Sequence, residues 1–130
     1  MFTHDDILMP LALTVMIDHK IKDPELREFR LQAAALFNLF ELEPKTEDEL
    51  VEWFSKKEAE LKTTLTGRRK NTEILRALTR FSDDQHVEAM YDAMVTISVA
   101  DKEYRREESD LVKSAASIWG FQRPPLKVVD

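Results

Sequence analysis

The sequence contains no cysteine, so a disulfide framework, a thiolate metal site and a thiol nucleophile are all excluded. Glycine is nearly missing too, with 2 residues, and proline supplies 5. So few backbone breakers among many Leu, Ala, Glu, Lys and Arg residues argue against a turn-rich β fold and for helices. There is no excess of positive charge: the formal net charge is -6 and the pI is near 5.1. A general nucleic-acid binder needs Lys and Arg in surplus to displace counterions from phosphates, so nucleic acid is not an expected partner. The longest apolar run, Ile7 to Ile17, is interrupted by Pro10 and Thr14 and flanked by Asp5, Asp6 and Asp18. It is too short for a membrane span and lacks the basic start of a signal peptide. A cytoplasmic protein is the resulting expectation.

What is present is a chain of 130 residues, 43% hydrophobic and 34% charged, which suits one folded domain over residues 1–130 with a heavily solvated exterior. Apolar residues recur at helical steps. Leu26, Phe29, Ala33, Leu36, Phe37 and Phe40 form one stripe on a helix that Pro24 can open and Pro44 follows. Thr46 with Glu49 has the capping-box spacing and precedes Leu50, Phe54 and Leu61, on a helix expected to end between Thr63 and Gly67. Ile74, Leu78 and Phe81 mark a shorter helix. Ser82 with Gln85 is read as a second box, opening a helix with Met90, Met94 and Ile97. The last helix carries Leu111, Val112, Ala115, Ala116 and Trp119, and Gly120 can close it in the left-handed conformation. No segment alternates with period two. The expected fold is all-α, a compact bundle of six or seven helices.

A repeat links two stretches. "TVMIDHKIKDPE" carries Asp18, Ile21 and Glu25, and "TISVADKEYRREE" carries Asp101, Tyr104 and Glu108, each residue 83 positions from its counterpart. In both, an apolar helix runs into an aspartate, an apolar residue follows three later, and a glutamate lies four beyond that in the first turn of another helix. This pattern, with the closing "IWGF", resembles the tellurite-resistance TerB-like family over about residues 8 to 122. The resemblance implies a compact helical fold of two related halves, about 8–63 and 68–122, with acidic residues at the inter-helix links associated with metal binding. Carried over by position, these are Asp18, Glu25, Asp101 and Glu108. Members commonly have glycine after the second aspartate; here Lys102 stands there, and His19 follows Asp18.

An aspartate at a helix C-terminus faces the negative end of the backbone dipole, at a cost of about 0.3–1 kcal/mol when exposed. Three partners could offset this: amides of the link, as in an Asx turn; the bases Lys20, Lys22, Arg105 and Arg106; or a bound cation. Glu25 and Glu108 sit where the dipole favours acids, so helix-terminus stabilisation accounts for them without a ligand. An all-oxygen site would take Ca²⁺, Mg²⁺ or Mn²⁺ in preference to Zn²⁺, with Glu103 and Glu107 as added ligands. It is no EF-hand, because the sixth and twelfth places from Asp101 hold Arg106 and Val112 instead of Gly and Glu.

Trp53, Phe54, Phe81, Met90, Met94 and Trp119 fall on helical stripes and are expected in the core. Arg68, Arg69 and Lys70 read as a solvated loop and helix start, and His86, beside Asp83 and Asp84, as part of a solvated turn. No P-loop, dinucleotide fingerprint, H-E-x-x-H or nucleophile elbow occurs, and His4, His19 and His86 form no Glu-x-x-His pair. The expectation is therefore a non-enzymatic module with no organic cofactor. It would bind a divalent cation at the acidic links and interact with protein partners in a stress or tellurite-resistance context. The alternative is a metal-free helical protein-interaction domain.

Overall fold

The computed structural model describes residues 2–102 and 104–121, and among these residues the fold is six α-helices with no strand. They are α1 (His4–Met16), α2 (Asp23–Leu39), α3 (Glu47–Thr66), α4 (Lys70–Leu78), α5 (Asp84–Ser98) and α6 (Arg106–Trp119). None is long and apolar enough to cross a membrane.

α1 is the hub. From Ile7 onward it is apolar on nearly every side, which suits a helix enclosed by others, and it packs against α2, α3, α4 and α5. α2 also lies on α5, and α5 carries α6. The other helices each bury one stripe. On α2 it is Phe29, Ala33, Leu36 and Phe37; on α6 it is Leu111, Val112 and Ala115. Phe29 anchors α2 on α3, edge-on to Phe54 with ring centroids 5.4 Å apart and stacked beside Trp53 at 6.2 Å.

The helix ends follow local chemistry. Thr46 and Glu49 form the expected box, each side chain accepting from the other's backbone N–H. Thr3 and Asp6 make the same arrangement at the start of α1. The cap of α5 is Asp83 and not Ser82. Its carboxylate accepts from the N–H groups of Gln85 and His86, and its charge faces the positive end of the helix. α4 stops at Leu78, so Phe81 packs into the core from the connection that follows it. Gly120 closes α6 with φ 76°, the left-handed conformation anticipated from its position.

Both tryptophans lie at the edge of the core. Trp53 donates its indole N–H to Asp5 (2.9 Å), and Trp119 donates to the Leu78 carbonyl (3.0 Å), which ties α6 to the end of α4. His86 departs from expectation: its ring is half-buried, stacked on Phe40 at 4.1 Å with Phe2 edge-on, because the apolar faces around it offer more than water does. Arg68 and Arg69 are exposed ahead of α4, as a solvated loop requires.

Candidate cation site at the two helix links

The links after α1 and α5 have the same backbone design. His19 donates its N–H to the Met16 carbonyl (2.9 Å), and Lys102 donates to Val99 (3.0 Å). Each residue is left-handed, with φ 62° at His19 and 66° at Lys102. This is the conformation that glycine adopts freely and a side chain resists, which is a physical reason for the glycine that the TerB-like resemblance leads one to expect where Lys102 stands. Substituting Lys102→Gly is accordingly expected to raise stability by about 0.5–1 kcal/mol, and His19→Gly by a similar amount. Urea denaturation checks this; a loss of stability in both variants would show that the side chains' contacts outweigh the strain. The apolar members of the two links are not equivalent: Tyr104 is buried, whereas Ile21 is 39% exposed.

Asp18 and Asp101 leave these turns toward each other. Asp18 Oδ1 accepts from the Lys20 N–H at 3.0 Å, the Asx turn anticipated among the three possible partners. Lys22 then bridges the links. Its Nζ lies 2.5 Å from Asp101 Oδ2 and 3.9 Å from Asp18 Oδ2, with the Asp18 and Asp101 side chains 1% and 7% exposed and that of Lys22 24%.

Both glutamates stand in the first turn of their helices as expected, and Glu108 caps α6, yet Glu25 and Glu108 are also completely buried, which a helix-terminus role does not require. The reason is their phase on the helix. Glu25 lies one turn before Phe29, and Glu108 one turn before Leu111 and Val112, so each extends an apolar stripe into the core. That phase was readable in the sequence and is the signal that would have found their burial.

Glu108 Oε1 accepts from the Arg105 N–H at 3.3 Å. Asp18 Oδ2 is buried with no hydrogen bond, only the Lys22 ammonium at 3.9 Å, and both oxygens of Glu25 and Glu108 Oε2 are buried with no hydrogen-bonding group near them but each other. The two glutamates lie within hydrogen-bonding reach of each other, and two carboxylates can bond only by holding a proton between them. Burial, first, and the neighbouring acids push Glu25 up to about 9; burial also pushes Glu108 up to about 7.

Matched residues of the repeat are thus what meet: Asp18 with Asp101 through Lys22, and Glu25 with Glu108. The pairing runs between the links instead of within each link. Glu107 is exposed, and Glu103 falls outside the described residues. Among the described residues, no three acidic or histidine side chains stand grouped as an ion would need them. The donor set itself, hard carboxylate oxygens of which several have no hydrogen-bonding group near them but another carboxyl, fits a divalent cation.

No curated protein and no solved structure matches the chain. A family model does: the one described as tellurite resistance protein TerB matches residues 4–126. With nearly the whole chain covered and six helices in place, the protein belongs to the TerB family.

Proposed function

We propose that this chain is a cytoplasmic helical module that binds a divalent cation, Ca²⁺, Mg²⁺ or Mn²⁺, where its two links meet, and that it acts by binding and not by catalysis. The observation that carries this reading is that two distant links meet acid to acid, Asp18 with Asp101 through Lys22 and Glu25 with Glu108, with buried oxygens on three of the four that no donor of another residue type hydrogen-bonds. Such oxygens are costly in a dry interior unless a proton or a cation meets them. A divalent ion supplies two positive charges to a cluster whose like charges otherwise repel. Asp18 and Asp101 stand nearest the surface and would take the ion first, and the glutamates would join by releasing their proton. Because the acids belong to the links that join α1 to α2 and α5 to α6, drawing them together alters how those helix pairs meet. A protein partner docked on the helical surface is the natural reader of that change, in the stress or tellurite-resistance setting that membership of the family suggests.

Two-dimensional NMR with each cation tests it. The amides of residues 18–25 and 101–108 are expected to move saturably at millimolar cation or below, with Mn²⁺ broadening those of His19 and Lys102, and Asp18→Asn combined with Asp101→Asn abolishes both effects. Amides that stay still at millimolar cation would reject the reading and leave a metal-free docking module whose links are held by Lys22.

A further inference from the structure

We propose that Lys22 is a built-in competitor for the divalent cation: its ammonium occupies the position between Asp18 and Asp101, and the ion binds by displacing it. This deepens the cation-site reading above and rests on it.

The geometry supports a swinging occupant. Lys22 Nζ lies 2.5 Å from Asp101 Oδ2 and 3.9 Å from Asp18 Oδ2, and so fills the approach that an ion shared by those two oxygens would have to take. Ligand distances of about 2.0–2.6 Å leave no room for an ammonium between the same atoms. The backbone of Lys22 need not move for the exchange. Residue 22 is the N-cap of α2, extended at φ -120° and ψ 145°, and its side chain is about a quarter exposed, so rotation of a four-carbon stem carries the charge into water. The two glutamates lie deeper and cannot be reached by solvent, which makes the aspartates the entry to the site and Lys22 its gatekeeper.

Displacement has a consequence for the fold. With the ammonium in place, Lys22 ties the start of α2 to Asp101 in the link after α5; with an ion in place, the two links are joined directly and Lys22 is released to the surface. Lys22 thereby sets the cation concentration at which the module responds. A single positive charge also satisfies the aspartates when cations are scarce, so the empty site does not open through repulsion.

The test compares the whole chain with Lys22→Met, which keeps the stem without the charge, and Lys22→Arg, which keeps the charge. Each is titrated with Ca²⁺ and with Mn²⁺ at low ionic strength, and the Lys22 ammonium resonance is followed in the unsubstituted protein. The expected result is that Lys22→Met binds about tenfold more tightly or better, that Lys22→Arg shows no tightening, and that the ammonium signal moves to a freely exchanging position as the ion binds. Equal or weaker affinity in Lys22→Met, with normal binding by the unsubstituted protein, overturns the competitor role and leaves the cation site standing. If Lys22→Met fails to fold, the ammonium signal decides alone: a resonance unmoved while the link amides titrate overturns the proposal. Absence of binding in every variant overturns the cation site and the competitor together.

Discussion

Stability is expected to fall by roughly 4–6 kcal/mol as the pH rises from 5 to 8, and Glu25→Gln is expected to remove most of that fall. In the unfolded chain both glutamates ionise near the ordinary value of 4.5; in the folded protein, burial raises Glu108 to about 7 and Glu25 to about 9. Between those limits the folded state holds protons that the unfolded state has released. Its stability is therefore greatest below about 4.5 as far as this pair is concerned, and is lost progressively as pH climbs through 7 toward 9. The proton on Glu25, retained across three pH units, accounts for about 4 kcal/mol at about 1.36 kcal/mol per unit, and the proton on Glu108 adds about 2 kcal/mol up to pH 7.

Glutamine at position 25 replaces the shared proton with an amide that donates to Glu108 at any pH. Expected is a variant more stable than the parent by about 2 kcal/mol at pH 8 and with a nearly flat profile. Urea denaturation of both proteins at pH 5, 6.5 and 8 measures it. Parallel profiles would show that the two carboxyls do not share a proton in the fold.

The second large effect concerns what holds α2 in place. Phe29→Ala is expected to cost about 3–5 kcal/mol, the range for removing a buried phenylalanine. The ring is 1% exposed and fills the space between Phe54 and Trp53 on α3, so its loss leaves a cavity where α2 and α3 meet. Position 29 is one turn from Glu25, on the same face. The same contact that seats α2 therefore seats Lys22 and Glu25 at the link. If the substitution acts by packing alone, stability drops uniformly and the pH profile keeps its slope. A change of slope along with the drop would mean that the cavity admits water to Glu25.

The two experiments bear on a protein whose proposed cation site and whose core are partly the same residues. In most helical bundles the first turn of a helix is where acids are spent on the dipole and left in water. Here one acid in each first turn, Glu25 in α2 and Glu108 in α6, points inward and is buried, while Asp23 and Glu107 remain in water. A buried acid pair costs stability at neutral pH, and retaining one is weak evidence of a purely structural purpose. A binding role gives that cost a use, because an ion or a proton that relieves the pair also controls the links on which it stands.

The helices, most of their boundaries and the family pattern were readable from the sequence because their causes are local. Apolar steps of three and four residues define α2 and α6, hydroxyl and carboxylate three residues apart cap α3, and Gly120 supplies the left-handed exit. Where two local signals competed the reading failed, as at Ser82, where the adjacent Asp83 is the better cap. The four acids were also found locally, as matched positions of a repeat. Which acid faces which was decided by tertiary structure, since Lys22 meets Asp101 only when chain segments 79 residues apart are brought together. Burial changed the chemistry in turn. A glutamate in a helix's first turn is ordinarily a solvated anion, and only enclosure by other helices makes Glu25 and Glu108 hold protons. Periodicity reports which face of a helix is apolar, but the dielectric around a side chain depends on what the rest of the chain places over it.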